Sequence, residues 1–325
     1  MQIYRQFDQL PAAAAPVVAT IGNFDGVHLG HQSVIAEVIA RARALSGQSL
    51  AITFDPHPAR VLRPEQPCPL LTPLPRKLEL LAATGIDATL ILPFTEAFCH
   101  MSARDFAANI LKQAVHAAEV HEGENFRFGY RAEAGVTGEH GLEALGRQLG
   151  FAVRVYAPRS LRGGPISSSR IRSLVVAGDV NHARALLGRP FSIDSTPAPG
   201  RGYGTRYAVP TINLAPYTDL LPANGVYITT LTVGAGQHAE TFEAVTNLGN
   251  RPTFGADSFA VESHLLNFHP LEGDQALTEQ TPLRLTFLRR LRPEQRFSSP
   301  EALRAQILRD VAHARRYFAL CRKFS

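Results

Sequence analysis

The chain has 325 residues, 45% of them hydrophobic and 19% charged, which is length for about two domains and apolar surface enough for a core in each. Its net charge of +5 comes from arginines scattered along the chain, without a basic run, so small anionic ligands are expected rather than nucleic acid. Three cysteines with no C-x-x-C pair argue against a disulfide framework or a zinc site and for a reducing cytoplasm. No apolar run reaches the length of a membrane span, and the polar start Met1–Asp8 lacks the apolar segment of a secretory signal.

In chain order, Val17–Ile21 reads as a short buried strand. A glycine-rich turn follows, then a helix from about His31 to Leu45 with Val34, Ile35, Val38, Ala42 and Leu45 on one face. Leu50–Phe54 is a second strand, completing a β-α-β unit with parallel strands. Thr89–Leu92 and Ala152–Tyr156 continue the strand series, with helical stretches at Ala103–His116 and Leu142–Leu149. This alternation predicts an α/β, Rossmann-like parallel sheet. After about Leu187 the texture changes to short alternating runs bounded by Gly, Pro and Asn: Gly225–Val233, Phe242–Asn247, Ala260–Asn267 and Leu283–Leu288. These predict a small antiparallel β-barrel or sandwich. A C-terminal helix closes the chain, capped by Ser298 or Ser299, with Pro300 and Glu301 in its first turn and a stripe of Leu303, Ile307, Val311 and Phe318. The expected domains are residues 1–187 and 188–325.

The segment Gly22-Asn23-Phe24-Asp25-Gly26-Val27-His28-Leu29-Gly30-His31 stands where a strand feeds a helix. Free N–H groups and the dipole at a helix start attract phosphate. Gly22, Gly26 and Gly30 let a backbone approach closely. His28 and His31, three apart, can converge on one phosphate and donate to charge developing there. The plain alternative is a turn carrying two surface histidines. Neither a Walker A loop nor a GxGxxG fingerprint is present. Further along, Ile166 to Arg172 sets Ser167, Ser168 and Ser169 before a helical run, with Arg172 one turn in; the plain alternative there is a serine cap. His57, between two prolines, either contacts ligand or shapes its loop. In the second half, Pro210-Thr211-Ile212-Asn213 puts a hydroxyl and an amide carbonyl on one side of an extended segment, a suitable oxygen pair for Mg²⁺.

On these residues the chain resembles the bacterial bifunctional riboflavin kinase/FAD synthetase (FMN adenylyltransferase) family. Gly22–His31 is similar to its long H-x-G-H motif and Thr53–Pro58 to its T-F-x-P-H-P. Gly123–Gly129 is similar to its G-x-[DN]-F-R-F-G and Ile166–Arg172 to its I-S-S-[ST]-x-I-R. In the second half, Pro210–Asn213 resembles P-T-A-N, Gly225–Tyr227 the G-V-Y strand, Asn247–Phe254 N-x-G-x-R-P-T-F, and Val261–Leu266 the segment of the kinase's catalytic glutamate.

The resemblance implies two reactions: riboflavin plus ATP to FMN, then FMN plus ATP to FAD and pyrophosphate. It implies His28, His31 and Arg172 as groups steadying adenylyl transfer, and Glu262 as the base for the ribityl 5′-hydroxyl. Gly22, Phe24, Asp25, Gly30, Asn125, Ser168, Ser169 and Gly204 are implied nucleotide contacts, with Asp25 orienting a histidine or a metal-bound water. Thr211 and Asn213 are the implied Mg²⁺ ligands. The expected partners are riboflavin, FMN and ATP, without nucleic acid, membrane or an obligatory protein partner.

The chain departs from the family at Thr205 and Arg206, where G-R-x-L-G-F-P-T is usual, and at Ala208, where a glycine is. It lacks the aromatic-Gly pair within Leu271–Thr281, and His121 and Glu122 replace apolar strand residues. The alternatives are therefore a monofunctional FAD synthetase whose barrel only binds flavin, a non-catalytic flavin- or nucleotide-binding regulator, and an H-x-G-H transferase acting on another substrate.

Overall fold

A computed structural model describes residues 1–10, 15–66, 68–132, 134–198, 211–250, 259–267 and 277–323. Two compact units divide the chain, Met1–Ser168 and Ser169–Ser325.

The first unit is built on six parallel strands: β1 (Gln2–Tyr4), β2 (Val17–Ile21), β3 (Gln48–Asp55), β4 (Ala88–Pro93), β5 (Ala117–Gly123) and β6 (Ala152–Tyr156). Their order in the sheet is β1-β4-β3-β2-β5-β6, so the winding reverses between β2 and β5. One face carries the helices Leu29–Ala44 and Leu74–Ala82, packed through Val27, Ile35, Ile39, Ala51, Leu81 and Ile86. The other carries Phe106–Ala114 and Leu142–Leu149 over Ile21, Ile52, Leu90 and Val120. Central strands buried on both sides explain the near-continuous apolar runs of β3 and β4. The expected helix Ala103–His116 is present in two pieces, an α-turn at Ala103–Asp105 and then π-helical winding over Phe106–Ala114. The polar N-terminal segment supplies the edge strand β1.

The second unit opens with the helices Ser168–Val176 and Val180–Leu187, of which Ser168 itself falls in the first. Its sheet contains β7 (Phe191–Ser195), β8 (Thr211–Leu214), β9 (Gly225–Val233), β10 (Glu240–Asn250), β11 (Phe259–Leu265) and β12 (Leu283–Arg292), all antiparallel, in the order β7-β12-β9-β10-β11-β8. Its inward face buries Leu231, Phe242, Leu285 and Phe287, together with a hydroxyl ladder across three strands. Thr229 Oγ1 lies 2.6 Å from Thr246 Oγ1, which lies 2.8 Å from Ser263 Oγ, all three fully buried. Thr246, in the middle, bonds to both neighbours, so the buried hydroxyls are linked into one chain across the three strands. On the outward face Val226, Ile228 and Val245 receive Val311, Ala314 and Phe318 of the terminal helix Pro300–Lys323. Ser299 Oγ accepts the Ala302 N–H at 3.2 Å, as a cap should. Leu303, placed in the buried stripe by its spacing, is 40% exposed. Among the described residues no helix is long and apolar enough to cross a membrane.

Candidate functional sites

The histidine loop leaves β2 at the reversal point of the sheet, the position where open α/β sheets bind ligands. The following helix starts at Leu29, two residues before the expected start, because His28 is itself the N-cap: its Nδ1 accepts the His31 N–H at 3.2 Å. The backbone before it is contorted. Phe24 and Val27 have φ of 46° and 37°, and Gly26 has φ of 86°. Such left-handed non-glycine residues cost about 1–3 kcal/mol each. Their side chains are almost wholly buried, which returns about 1.5–3 kcal/mol apiece. That leaves a near balance, and hydrogen bonds settle it. Asp25, 1% exposed, accepts the N–H of Leu71 at 3.1 Å and of Thr72 at 2.9 Å. Thr72 Oγ1 in turn accepts the Gly26 N–H at 2.8 Å. Asp25 thus clasps the loop to residues 71–72, a role its place in the motif does not signal.

The imidazoles of His28 and His31 stack with centroids 3.6 Å apart and planes 14° from parallel. The Phe24 and His31 rings meet edge to face with centroids 5.2 Å apart. A Cβ at Gly30 would stand 3.2 Å from the His28 ring, so a side chain there would press that ring aside by a few tenths of an ångström. Burial, then neighbouring His28 and Lys77, hold His31 well below the usual histidine range. Its Nδ1 is buried without a protein partner among the described residues. A neutral imidazole stacked on another, at a helix start, is poised to accept or donate one proton as charge arrives.

Ser168 joins this loop by donating from Oγ to the Asp25 carbonyl at 2.8 Å. Gly22, Phe24, Asp25, His28, Gly30, His31 and Ser168 are therefore brought together. Asn125 lies on an exposed turn just past β5, its segment closed by the Phe126 N–H donating to Gly123 O at 2.9 Å. Ser169 and Arg172 ride on the helix Ser168–Val176 within the second unit, Ser169 exposed and Arg172 partly buried. His57 caps the short helix Pro58–Leu62, its Nδ1 accepting the Ala59 N–H at 3.1 Å, so it shapes its loop.

The unexpected residues before Gly123 both have partners. His121 Nε2 meets Glu119 at 3.2 Å and its Nδ1 meets the Tyr156 hydroxyl at 3.0 Å. Arg41, with His121 and Arg154 adding to it, holds Glu119 down at about 2. Glu122, 3% exposed, accepts the Ile21 N–H at the end of β2 and the Thr20 hydroxyl at 3.4 Å. Burial pushes its carboxyl well above the usual range. Lys77, 4% exposed beneath the loop, is a further residue that sequence reasoning missed. Its spacing from Leu74 and Leu81, a lysine on a helix's apolar stripe, was the available signal.

The second constellation is made by strand register. Asn213 pairs with Glu262 and Thr211 with His264 across β8 and β11. Directly opposed residues share a face with Cβ atoms roughly 4.5–5.5 Å apart. Glu262 is also opposite Asn247 of β10. Thr211 Oγ1 lies 2.7 Å from His264 Nδ1. Burial, partly countered by Glu262, lowers the His264 pKa. His264 stands in the sequence segment quoted above, yet only the register exposes its place beside Thr211. Gly204, Thr205 and Ala208 lie outside the described residues, as do Arg251–Phe254.

Residues 10–170 match the FAD synthetase family model and residues 187–318 the riboflavin kinase family model. A bifunctional riboflavin kinase/FMN adenylyltransferase of Pseudomonas fluorescens is 34% identical over 316 residues, covering 97% of each chain. Proteins of the same description from Listeria monocytogenes and Escherichia coli K12 are 32% and 31% identical, each over 93% of this chain and 92% and 93% of theirs. The chain belongs to the bifunctional riboflavin kinase/FMN adenylyltransferase family. A crystal structure from Streptococcus pneumoniae described as a macrolide-efflux protein has the same fold, with a TM-score of 0.81 over 96% of this chain and 98% of that one, at 24% identity. Membership in this family makes the chain a transferase, and its parallel-sheet unit followed by an antiparallel barrel and terminal helix is the architecture the resemblance implied.

Proposed function

We propose that the chain makes FAD in two steps, phosphorylating riboflavin to FMN with ATP and then adenylylating FMN with a second ATP. The observation that carries the two-step reading is the second constellation. A pure adenylyltransferase has no need of Asn213, Glu262, Thr211 and His264 in paired register on one face of a separate barrel.

In adenylyl transfer, an FMN phosphate oxygen attacks the α-phosphorus of ATP and the bond to pyrophosphate breaks. Such chemistry depends on positioning and on stabilising charge, with no covalent enzyme intermediate. The loop amides before Leu29 and the His28–His31 pair receive the phosphate charge. Arg172 adds a permanent cation. Gly22, Phe24, Gly30, Asn125, Ser168 and Ser169 line the nucleotide. In the barrel, Glu262 takes the proton from the ribityl hydroxyl as that oxygen attacks the γ-phosphorus of ATP, and the bond from that phosphorus to the bridging oxygen breaks to release ADP. The oxygens of Thr211 and Asn213, two apart on one strand, suit the hard Mg²⁺ ion, which when bound screens the phosphates. The functional division is at 187/188. Among the described residues Cys68, Cys99 and Cys321 form no disulfide, which suits a reducing cytoplasm.

The test is one incubation with riboflavin, ATP and Mg²⁺, following FMN and FAD separately by chromatography, beside a second started from FMN. FMN should appear first and FAD after it. FAD from FMN alone would identify a barrel that only binds flavin, and no flavin product from either would overturn the assignment.

A further inference from the structure

Lys77 is a lysine almost without solvent, in the helix Leu74–Ala82 on the same sheet face as the helix that His28 caps. Its Nζ donates to Thr53 Oγ1 at 3.2 Å and, at 3.5 Å, to the Phe54 carbonyl at the end of β3. Thr53 Oγ1 passes the connection on, donating to the Asn23 carbonyl at 3.4 Å. Asn23 is the residue before Phe24, whose ring packs against His31. Among the described residues the ammonium's third N–H has no partner. A buried ammonium costs several kcal/mol of lost hydration unless its surroundings are arranged for it. The titratable groups facing it are the carboxyls of Asp25 from the loop and Asp55 from the end of β3, and the neutral imidazole of His31 from the helix start. The two carboxylates only partly offset the desolvation, which brings Lys77 down to about 8.

Resting on the adenylyl-transfer reading of this loop, we propose that Lys77 is a positioning residue of that reaction: from beneath, it anchors the Asn23 carbonyl through the Thr53 hydroxyl and supplies positive charge to the floor of the phosphate subsite. The helix Leu74–Ala82 thereby becomes part of the site without reaching its surface. A lysine kept for packing alone would be replaced by methionine at little cost, since the stems match and the buried charge is a liability.

The test measures FAD formation from FMN and ATP across pH 6.5–9.5 for wild type, K77M, K77R, T53V and H28A. Riboflavin phosphorylation in the same preparations reports on the intact chain. K77M should lower kcat for FAD formation roughly tenfold to a hundredfold, the loss expected for a misplaced reacting group, with a smaller change in the KM for ATP and with FMN formation unchanged. T53V, which keeps the charge and removes the link, should show a smaller fall in the same direction. Wild-type activity should decline above pH about 8 as Lys77 loses its proton. K77R should recover most of the activity and lack that decline, because a guanidinium stays charged there. K77M within twofold of wild type, or an alkaline decline unchanged in K77R, overturns the proposal. If K77M does not fold, T53V and K77R decide it: a full-rate T53V together with an unshifted K77R profile overturns it. H28A separates the two levels, since normal FAD formation in H28A overturns the reading of the loop itself. Loss in H28A with none in K77M overturns only the role of Lys77.

Discussion

The two constellations are positioned by opposite means. In the parallel-sheet unit the functional groups ride on a loop whose backbone is held in unfavourable conformations by a buried carboxylate and two buried side chains. In the barrel, Thr211, Asn213, Glu262 and His264 are on regular strands, and their meeting follows from register alone. The first arrangement is sensitive to residues that never approach a ligand. The second is sensitive to anything that slips a strand by one residue, which would turn the two residues on that strand to the other face and part them from their partners.

The largest expected effects are those that separate the halves. Glu262→Gln should slow FMN formation from riboflavin by about 10²–10⁴-fold, the range for losing a general base, and leave FAD formation from supplied FMN intact. His28→Ala should do the reverse, costing FAD formation about 10²–10³-fold and sparing FMN formation. Steady-state rates for both products in both variants check this, and equal loss of both activities in either variant would break the assignment of separate sites.

A smaller effect probes how each site is supported. Asp25→Asn keeps the shape but weakens what holds Leu71 and Thr72, leaving hydrogen bonds to a neutral partner. It should cost about 1–3 kcal/mol in denaturant unfolding of the first unit and reduce FAD formation along with it. An unchanged unfolding midpoint would mean that the burial of Phe24 and Val27 alone stabilises the loop.

The smallest effect concerns Glu122. Its pKa is raised in the folded chain, so the native state holds a proton that the unfolded state releases. The stability it contributes is whole below the unfolded carboxyl pKa and is lost as pH rises toward the folded one. Glu122→Gln keeps an acceptor for the Ile21 N–H and removes the titration. Its Tm should match wild type at low pH, where the unfolded carboxyl is protonated too, and exceed it by a margin that grows as pH rises. A margin independent of pH would show that Glu122 is ionised in the fold.

Much of this was readable in the sequence, and the misses have physical causes. β2, β3 and the loop between them were legible because a buried parallel strand is a short apolar run and a phosphate-binding turn needs glycine. The start of the helix was placed at His31 because histidine is not among the usual capping residues, although its Nδ1 does the same work here. Leu303 was assigned to the buried stripe because periodicity finds a face without saying how far along the helix a neighbour extends. The hydroxyl ladder was hidden because Thr229, Thr246 and Ser263 are far apart in sequence and unremarkable singly. His264 was invisible for a related reason: pairing fixes its place beside Thr211, and pairing is not written in either strand alone. Lys77 broke the expectation that lysines lie outside.

The clasp between Asp25 and residues 71–72 has a consequence for protein engineering. The ten-residue histidine motif is not a transplantable cassette. Its shape is completed by a stretch 46 residues downstream, so a graft into another parallel-sheet scaffold needs both segments and the strand between them. The loop with its clasp runs from the start of β2 through the helix that bears Lys77, and Ser168 must still be supplied from beyond it.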